Sequence, residues 1–468
     1  MTKPPNSFLT AAKDILGPSG WSTDAEALDA VSSPWRGTYS GHTPFLARPA
    51  STAEAAALVK LCAEHNIAIT PQGGNTGLVD AGTPHGEICV SMTRMHAVRA
   101  LDPLNNSMTI EAGAPLVTAQ TAAADANRLF PLSLGSEGTA TIGGLISTNA
   151  GGVAVLRYGM MRDLILGLEV VLPSGEIWNG LSGLRKNNTG YDLKHVFAGA
   201  EGTLGLITAA TLKLFPRVQT ATAWVTCESA DDIVALLANI RDVAGDSITS
   251  FEMIPKNAIE MVMNDVPSTR DPLPSSLAWR VLIELSMPRE DMARDLLESA
   301  LASQLENGLV KDAVIAENLS QAKEFWHIRE TIPLSKRAYG TALNQDIAVP
   351  VSQIPAFITA CNAAISAAIN EAEFVIFGHV GDGNLHYSVC EPKGKSNPTL
   401  RGHQDAVFRI VFDTVMSFGG SISAEHGIGR LKRDEIARLR PVATHIMRDI
   451  KRAIDPKNIM NPGRVIQT

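Results

Sequence analysis

Nowhere in its 468 residues does this chain carry a dense run of lysine or arginine, and its formal net charge is −8. That balance sets up no global field for holding nucleic acid, so a small-molecule partner fits better. The opening stretch, MTKPPNSFLTAAKDILGPSGW, lacks an apolar h-region of about 7–15 residues and is not arginine-rich, so no secretory or mitochondrial address is expected. No apolar run approaches the roughly 18 residues of a membrane span. Cysteine is scarce. The five present (Cys62, Cys89, Cys227, Cys361, Cys390) are odd in number, far apart and mostly inside apolar segments. This is the usage of a reducing compartment and predicts a cytoplasmic location.

What is present is enough for two to three domains. Hydrophobic residues make up 45% and charged residues 19%, a globular composition. After a helical lead-in and a polar loop, STAEAAALVKLCAEHN carries a capping box at Ser51 and Glu54, and its apolar spacing predicts a helix over 52–65. Strands are expected at IAIT, EICVSM and SMTIEAG, a helix from Pro115, and two strands in LGLEVVLPSGEIW. From about 219 to 420 the texture changes. The strand-like runs ATAWVTCE, AWRVLIELS and FVIFGHV alternate with the helical runs DDIVALLANIRD, EDMARDLLESALASQL and IPAFITACNAAISAAI. This predicts an α+β layer on a mainly antiparallel sheet, with a duplicated β-α-β unit allowed by the alternation.

Two kinds of motif carry chemistry. In FVIFGHVGDGNLHYSV, a two-residue turn at Asp382-Gly383 would set His379 opposite His386, and Ser388 opposite Phe377. Opposed residues have Cβ atoms about 4.5–5.5 Å apart, close enough for two imidazoles to share one metal ion. Glu425-His426, in GGSISAEHGIG, is the candidate source of a third ligand. The other kind is glycine-rich: PQGGNTGLVDAG, LGSEGTATIGGLISTNAGG and AGAEGTLGLIT. None reads G-x-G-x-x-G after a strand or G-x-x-x-x-G-K-[ST], and one such run alone marks a turn more often than a ligand. Three together suggest one extended ligand with a pyrophosphate, cradled by backbone N–H groups.

PQGGNTG at 71–77, IGGLISTNAGG at 142–152, RYGMMRDLILGLEVVLPSGE at 157–176, LRKNNTGYDLKHVFAGAEGTLGLIT at 184–208, GHVGDGNLHY at 378–387, SAEHGIG at 423–429 and DPKNIMNPG at 455–463 together resemble the FAD-linked D-2-hydroxy acid dehydrogenases. These are the D-2-hydroxyglutarate and D-lactate dehydrogenases and glycolate oxidase flavin subunits of the vanillyl-alcohol-oxidase-like flavoproteins. The resemblance implies a two-part FAD-binding domain of that type at 1–218, an α+β substrate domain at 219–420 and a C-terminal segment at 421–468 that completes the site. It implies that Gly73, Gly74, Asn75, Thr76, Gly77 and Leu78 wrap the FAD pyrophosphate. Ser136, Gly138, Thr139, Gly143, Gly144, Thr148, Asn149 and Gly151 would help. Glu201, Gly205 and Ile207 would lie along the adenine and ribose, and Asn461 near the flavin ring. Asn75 and Thr76 stand where covalent members of the family often have a histidine, so the FAD is expected to be non-covalent.

By the same resemblance, His379, His386 and Glu425 are metal ligands, with zinc the expected divalent ion, His426 is the general base and Arg329 holds the substrate carboxylate. FAD takes a hydride at N5 but supplies no base, and a divalent cation beside a hydroxyl lowers its pKa. An arginine on the helix surface, paired with Glu330 or Glu324, is the bland alternative for Arg329. The chain departs from the family's 2-hydroxyglutarate pattern at Asn344, where a lysine is expected, at Pro333 in place of threonine and at Ser388 in place of asparagine. Losing a cation there predicts a D-lactate-like monoacid as substrate, with D-2-hydroxyglutarate as the alternative and a non-catalytic flavin subunit of a larger oxidase as a more distant one. The expected partners are the 2-hydroxy acid, an electron-transfer flavoprotein or quinone as acceptor, and a second copy of the chain. Nucleic acid and a membrane span are not expected.

Overall fold

Ser51 ends an extended segment and its hydroxyl accepts the Glu54 N–H at 3.1 Å, while the Glu54 carboxylate accepts from Ala50 N–H at 2.8 Å. The helix Thr52–His65 that follows buries Ala55, Leu58, Val59 and Cys62 and stops at Asn66, which takes the left-handed conformation of a C-cap. The computed structural model in which these elements are seen describes residues 4–467 apart from 35–36, 38, 341, 371 and 393–399, with the backbone alone for 337–339. The chain forms two compact units, one from 1–152, 159–217 and 425–468, the other from 153–158 and 218–424.

In the first unit the helix leads to the strand Ile69–Gln72, which pairs in parallel with Ile88–Ser91 in a four-stranded sheet. Phe8, Phe45, Val59, Ile88 and Met460 share its core. A second, antiparallel sheet has the order Val98–Asp102, Ser107–Glu111, Leu206–Lys213, Ile165–Val171 and Ile177–Asn179. The C-terminal residues belong to this unit. Ile69 N–H donates to Ile459 O and Asn461 N–H to Ile69 O, each at 2.7 Å. Two buried ion pairs fasten the segment further. Arg464 meets Glu87 at 2.6 Å, and Lys451 donates to Asp455 and to the carbonyls of Thr203 and Met460.

The second unit is built on one seven-stranded sheet. Its strands are β1 (Gln219–Cys227), β2 (Ile248–Pro255), β3 (Trp279–Met287), β4 (Asp312–Ile315), β5 (Ala342–Ala348), β6 (Glu373–His379) and β7 (Asn384–Cys390). Their spatial order is 4-1-3-2-6-7-5, antiparallel at every described pairing. With the helices Ala230–Ala244 and Glu290–Glu306, strands β1–β4 make a β-α-β-β-α-β unit of ferredoxin-like order 4-1-3-2, with a further helix, Lys256–Asp265, inserted between β2 and β3. β5, the helix Ile354–Ala368, β6 and β7 repeat its first three strands in mirrored order. The duplication that the alternation allowed is present in the fold. β2 is a strand the sequence reading omitted. All eight of its residues are buried, so it shows no alternation to betray it.

One expectation about apolar runs needs correcting. The helical stretch Val351–Ala368 is long and apolar enough, by composition, to cross a membrane. Its buried residues Ile354, Phe357, Ile358, Cys361 and Ile365 recur at helical spacing, which is the stripe of a core-packing helix.

Candidate active site

The histidine hairpin forms, two residues out of the expected register. Phe377, not His379, lies opposite His386, and Ser388 lies opposite Val375 rather than Phe377. The cause is the connection: Val380–Asp382 makes a short 3-10 turn, and Gly383 takes φ +86°, so the link is longer than two residues. An even slip keeps every side chain on its face. The two imidazoles therefore still meet, with ring centroids 5.5 Å apart in an edge-to-face arrangement.

β2 supplies what orients the first of them. Glu252 is the ladder partner of His379 and is fully buried. Its carboxylate takes His379 Nδ1 at 2.5 Å on one oxygen and Arg329 Nε at 2.7 Å on the other. Burial alone would raise the Glu252 pKa. The electrostatic attraction and hydrogen bonds of His379 and Arg329 outweigh it and bring the group down to about 2. With the proton on Nδ1, the lone pair of His379 is on Nε2, which is 3.4 Å from Arg329 Nη2. Arg329, in the helix Leu319–Tyr339, is thus no surface charge but a buried guanidinium over the face of Phe377, its Cζ 4.8 Å from the ring centroid. From the same helix, the buried Lys336 Nζ is 5.1 Å from that centroid and donates to Asn344 Oδ1 at 2.8 Å and to Ser388 Oγ.

His386 faces Asp346 of β5, with Nδ1 4.0 Å from Oδ1. Asp346 is buried and accepts from Asn384 Nδ2 at 2.8 Å and from Ala424 N–H at 3.2 Å. Ala424 is the last residue of this unit, and Glu425 and His426 follow it in the chain. In the first unit, His426 Nε2 lies 3.8 Å from Glu425 Oε1. Asn384 is therefore a hydrogen-bonding residue behind the hairpin, while Asp382 accepts the Asn384 N–H at 3.1 Å as a turn residue.

The three glycine runs converge within the first unit. A Cβ on Gly74 would stand 1.8 Å from Thr139 O, and one on Gly73 2.0 Å from Thr141 Oγ1, so the first loop lies backbone-to-backbone against the second. The third joins them at the helix Ile142–Thr148, where Gly199 N–H donates to Ile146 O and Glu201 N–H to Ser147 O. Asn75, Asn149, Glu201 and Asn461 all take positive φ. Several expected ligand contacts are engaged elsewhere. Thr148 Oγ1 bonds back to Gly144 O, Asn149 Oδ1 accepts from Arg162 N–H, and Asn461 Nδ2 holds the carbonyls of Ala81 and Glu201. The Glu201 carboxylate accepts Ile428 and Gly429 N–H at 2.7 and 2.8 Å, and burial raises its pKa to about 7. Leu78 continues the first loop, while Gly205 and Ile207 sit where the third enters its strand, a Cβ on Gly205 meeting Val170 at 2.7 Å. Ser136 N-terminal to Thr139 closes a turn through its carbonyl.

The cradle fits a flavin nucleotide. Thr141 Oγ1 and Asn461 Oδ1 are buried without a hydrogen-bond partner, while Cβ atoms on Gly77, Gly135 and Gly138 would meet open space. Residues 43–180 match the model of the FAD binding domain, and 217–465 that of the FAD linked oxidases, C-terminal domain. The chain belongs to the FAD-linked oxidase family. This FAD-linked oxidase is 34% identical over 457 residues to the mitochondrial D-2-hydroxyglutarate dehydrogenase of Arabidopsis thaliana, covering 97% of this chain and 80% of that protein. It is 33% identical to the D-2-hydroxyglutarate dehydrogenase of Stutzerimonas stutzeri, with 99% of each covered. Its fold is that of the vanillyl-alcohol-oxidase type. A structure of p-cresol methylhydroxylase with bound substrate superposes with TM-score 0.77 at 18% identity, covering 99% of this chain and 97% of that one.

Two residues of the site escaped the sequence reading. Glu252 is an acid between Phe251 and Met253 in an apolar run ending at Pro255, and a charge so placed needs a buried partner. Lys336 stands seven residues after Arg329, on the same stripe of one helix.

Proposed function

We propose that this FAD-linked oxidase converts a D-2-hydroxy acid to the 2-oxo acid, with FAD as hydride acceptor and a divalent metal held by His379, His386 and Glu425. The observation that carries the reading is Glu252, one buried carboxylate that holds both the His379 imidazole beside His386 and the Arg329 guanidinium over Phe377. A carboxylate on the far nitrogen of a ligating histidine is the usual device for fixing tautomer and raising basicity, and two imidazoles with one carboxylate suit zinc. When bound, FAD supplies the hydride acceptor and the metal a positive charge beside the substrate hydroxyl. The chain's residues do the rest. Arg329 presents parallel N–H donors to the C1 carboxylate, which orients C2, and the imidazole of His426 takes the hydroxyl proton.

The names of the relatives favour D-2-hydroxyglutarate, the alternative to a D-lactate-like monoacid, while neutral Asn344 and Ser388 are what favour the monoacid. The FAD is non-covalent and the electrons pass on to an electron-transfer flavoprotein or a quinone. Dye-linked turnover across D- and L-2-hydroxy acids, with and without chelator, tests the reading. D acids should be oxidised, chelator should stop turnover and zinc should restore it, and His426→Ala should abolish turnover with FAD still bound. Turnover that survives thorough chelation would remove the metal from the mechanism.

A further inference from the structure

Lys336 is the residue the site as described does not use. It is 7% exposed, its Nζ donates to Asn344 Oδ1 and Ser388 Oγ, and it stands beside the ring over which Arg329 also lies. Asn344 and Ser388 are paired directly across β5 and β7, so two neighbouring strands hold one ammonium in place. Both acceptors are neutral.

We propose that Lys336 is the specificity-determining cation of this enzyme, binding the far carboxylate of a five-carbon 2-hydroxy diacid whose C1 carboxylate is on Arg329. The inference rests on the dehydrogenase reading above and names its substrate class. Where a strand cation is replaced by Asn344, the helix returns one from the opposite side, and Asn344 becomes its support.

The dimensions agree. With Arg329 Cζ at 4.8 Å and Lys336 Nζ at 5.1 Å from one ring centroid, the two charges are at most about 10 Å apart. Seven residues of α-helix rise about 10.5 Å. A five-carbon diacid spans about 5 Å between its carboxyl carbons at roughly 1.2 Å of reach per bond. Adding a charge-assisted contact of about 3 Å at each end gives about 11 Å for the fully extended diacid, so a bent five-carbon chain reaches both cations. A three-carbon monoacid held by Arg329 ends several ångströms short. In a buried setting a lysine–carboxylate pair is far stronger than in water, so the presence of the second carboxylate is strongly felt.

The test compares D-2-hydroxyglutarate with D-2-hydroxyvalerate, which has the same five carbons and a methyl in place of the second carboxylate. The wild type should favour the diacid at least tenfold in kcat/KM. Lys336→Met should cut that ratio at least tenfold, mainly through the KM of the diacid, and Lys336→Arg should keep most of it. In the Lys336→Met background, Asn344→Lys should recover the preference by returning the charge from β5. Glutarate, which has no hydroxyl to oxidise, gives a second readout. It should raise the melting temperature of the FAD-loaded wild type more than valerate does, and Lys336→Met should erase the difference while retaining the flavin absorbance. Loss of the glutarate effect in a protein that oxidises no 2-hydroxy acid would keep Lys336 as the diacid site and overturn the dehydrogenase reading. A wild type that prefers the valerate, or a Lys336→Met ratio and glutarate shift like those of the wild type, overturns the assignment of Lys336.

Discussion

Glu252 holds an imidazole and a guanidinium in a place where none of the three could stand alone. Removing one partner of a buried ion pair costs about 3–5 kcal/mol because a charge is left unmatched. Glu252→Ala should therefore lower stability by about that amount and raise the KM for every 2-hydroxy acid, since Arg329 and His379 both lose their anchor. Denaturant unfolding and steady-state kinetics check the two halves of this statement. Glu201 acts in the opposite sense. Its pKa is raised from the ordinary carboxylate value of 4.5 to about 7 by burial, so between those values the native chain holds a proton that the unfolded chain has lost. Stability from this group is present below about pH 4.5, declines by about 3 kcal/mol as pH rises to 7, and is flat above. Glu201→Gln should remove that slope, which melting curves from pH 4.5 to 8 would reveal. Neither residue's neighbours are adjacent to it in sequence, which is why reading the chain alone could find an acid in an apolar run but not its partners.

Elements were legible wherever a local signal decides them. The helix Thr52–His65 has the predicted bounds and the predicted Ser51 cap, with Glu54 reaching Ala50 N–H instead of that of Ser51, and the strands of ATAWVTCE and AWRVLIELS stand where β-branched and aromatic residues predicted them. β2 was missed because a strand buried on both faces has no period. The hairpin register was missed because a 3-10 turn and a left-handed Gly383 extend the link that the D-G dipeptide suggested. At the same scale, the helix Leu319–Tyr339 contains Pro333, which has no N–H to give the carbonyl four residues earlier, that of Arg329. Pro333→Ala supplies the missing donor and relieves the ring clash, so the variant should be the more stable by up to about 3 kcal/mol. It should also change the preference between diacid and monoacid, because the break lies between the two cations. Thermal melts and the substrate ratio would follow both effects.

Over the whole molecule, the feature a linear reading handles least well is that the first unit is assembled from three stretches of chain. Its glycine cradle includes Asn461, and its buried acids Glu87 and Glu201 find their partners in Arg464 and in the Ile428 and Gly429 amides. A chain ending at residue 424 would deprive Glu87 of Arg464 and Glu201 of both amides. It should fail to retain FAD, and its flavin absorbance after gel filtration should fall to background, although residues 43–180 carry the FAD-binding pattern intact. The motif at 455–463 was visible in the sequence as a resemblance, but the strand-like bridge between Ile69 and Met460 that makes it indispensable was not.

The helix that bears Arg329 and Lys336 has one more implication. If substrate length is gauged by two charges on a single helical stripe, then selectivity in this enzyme is counted in turns, and each turn is worth about 5.4 Å. Carrying the ammonium one turn toward Arg329 would set the gauge for a shorter diacid, and one turn away for a longer one. The chain would thus hold an adjustable calliper with Pro333 as its pivot, retunable by moving one charge along one helix with the oxidising machinery left as it is.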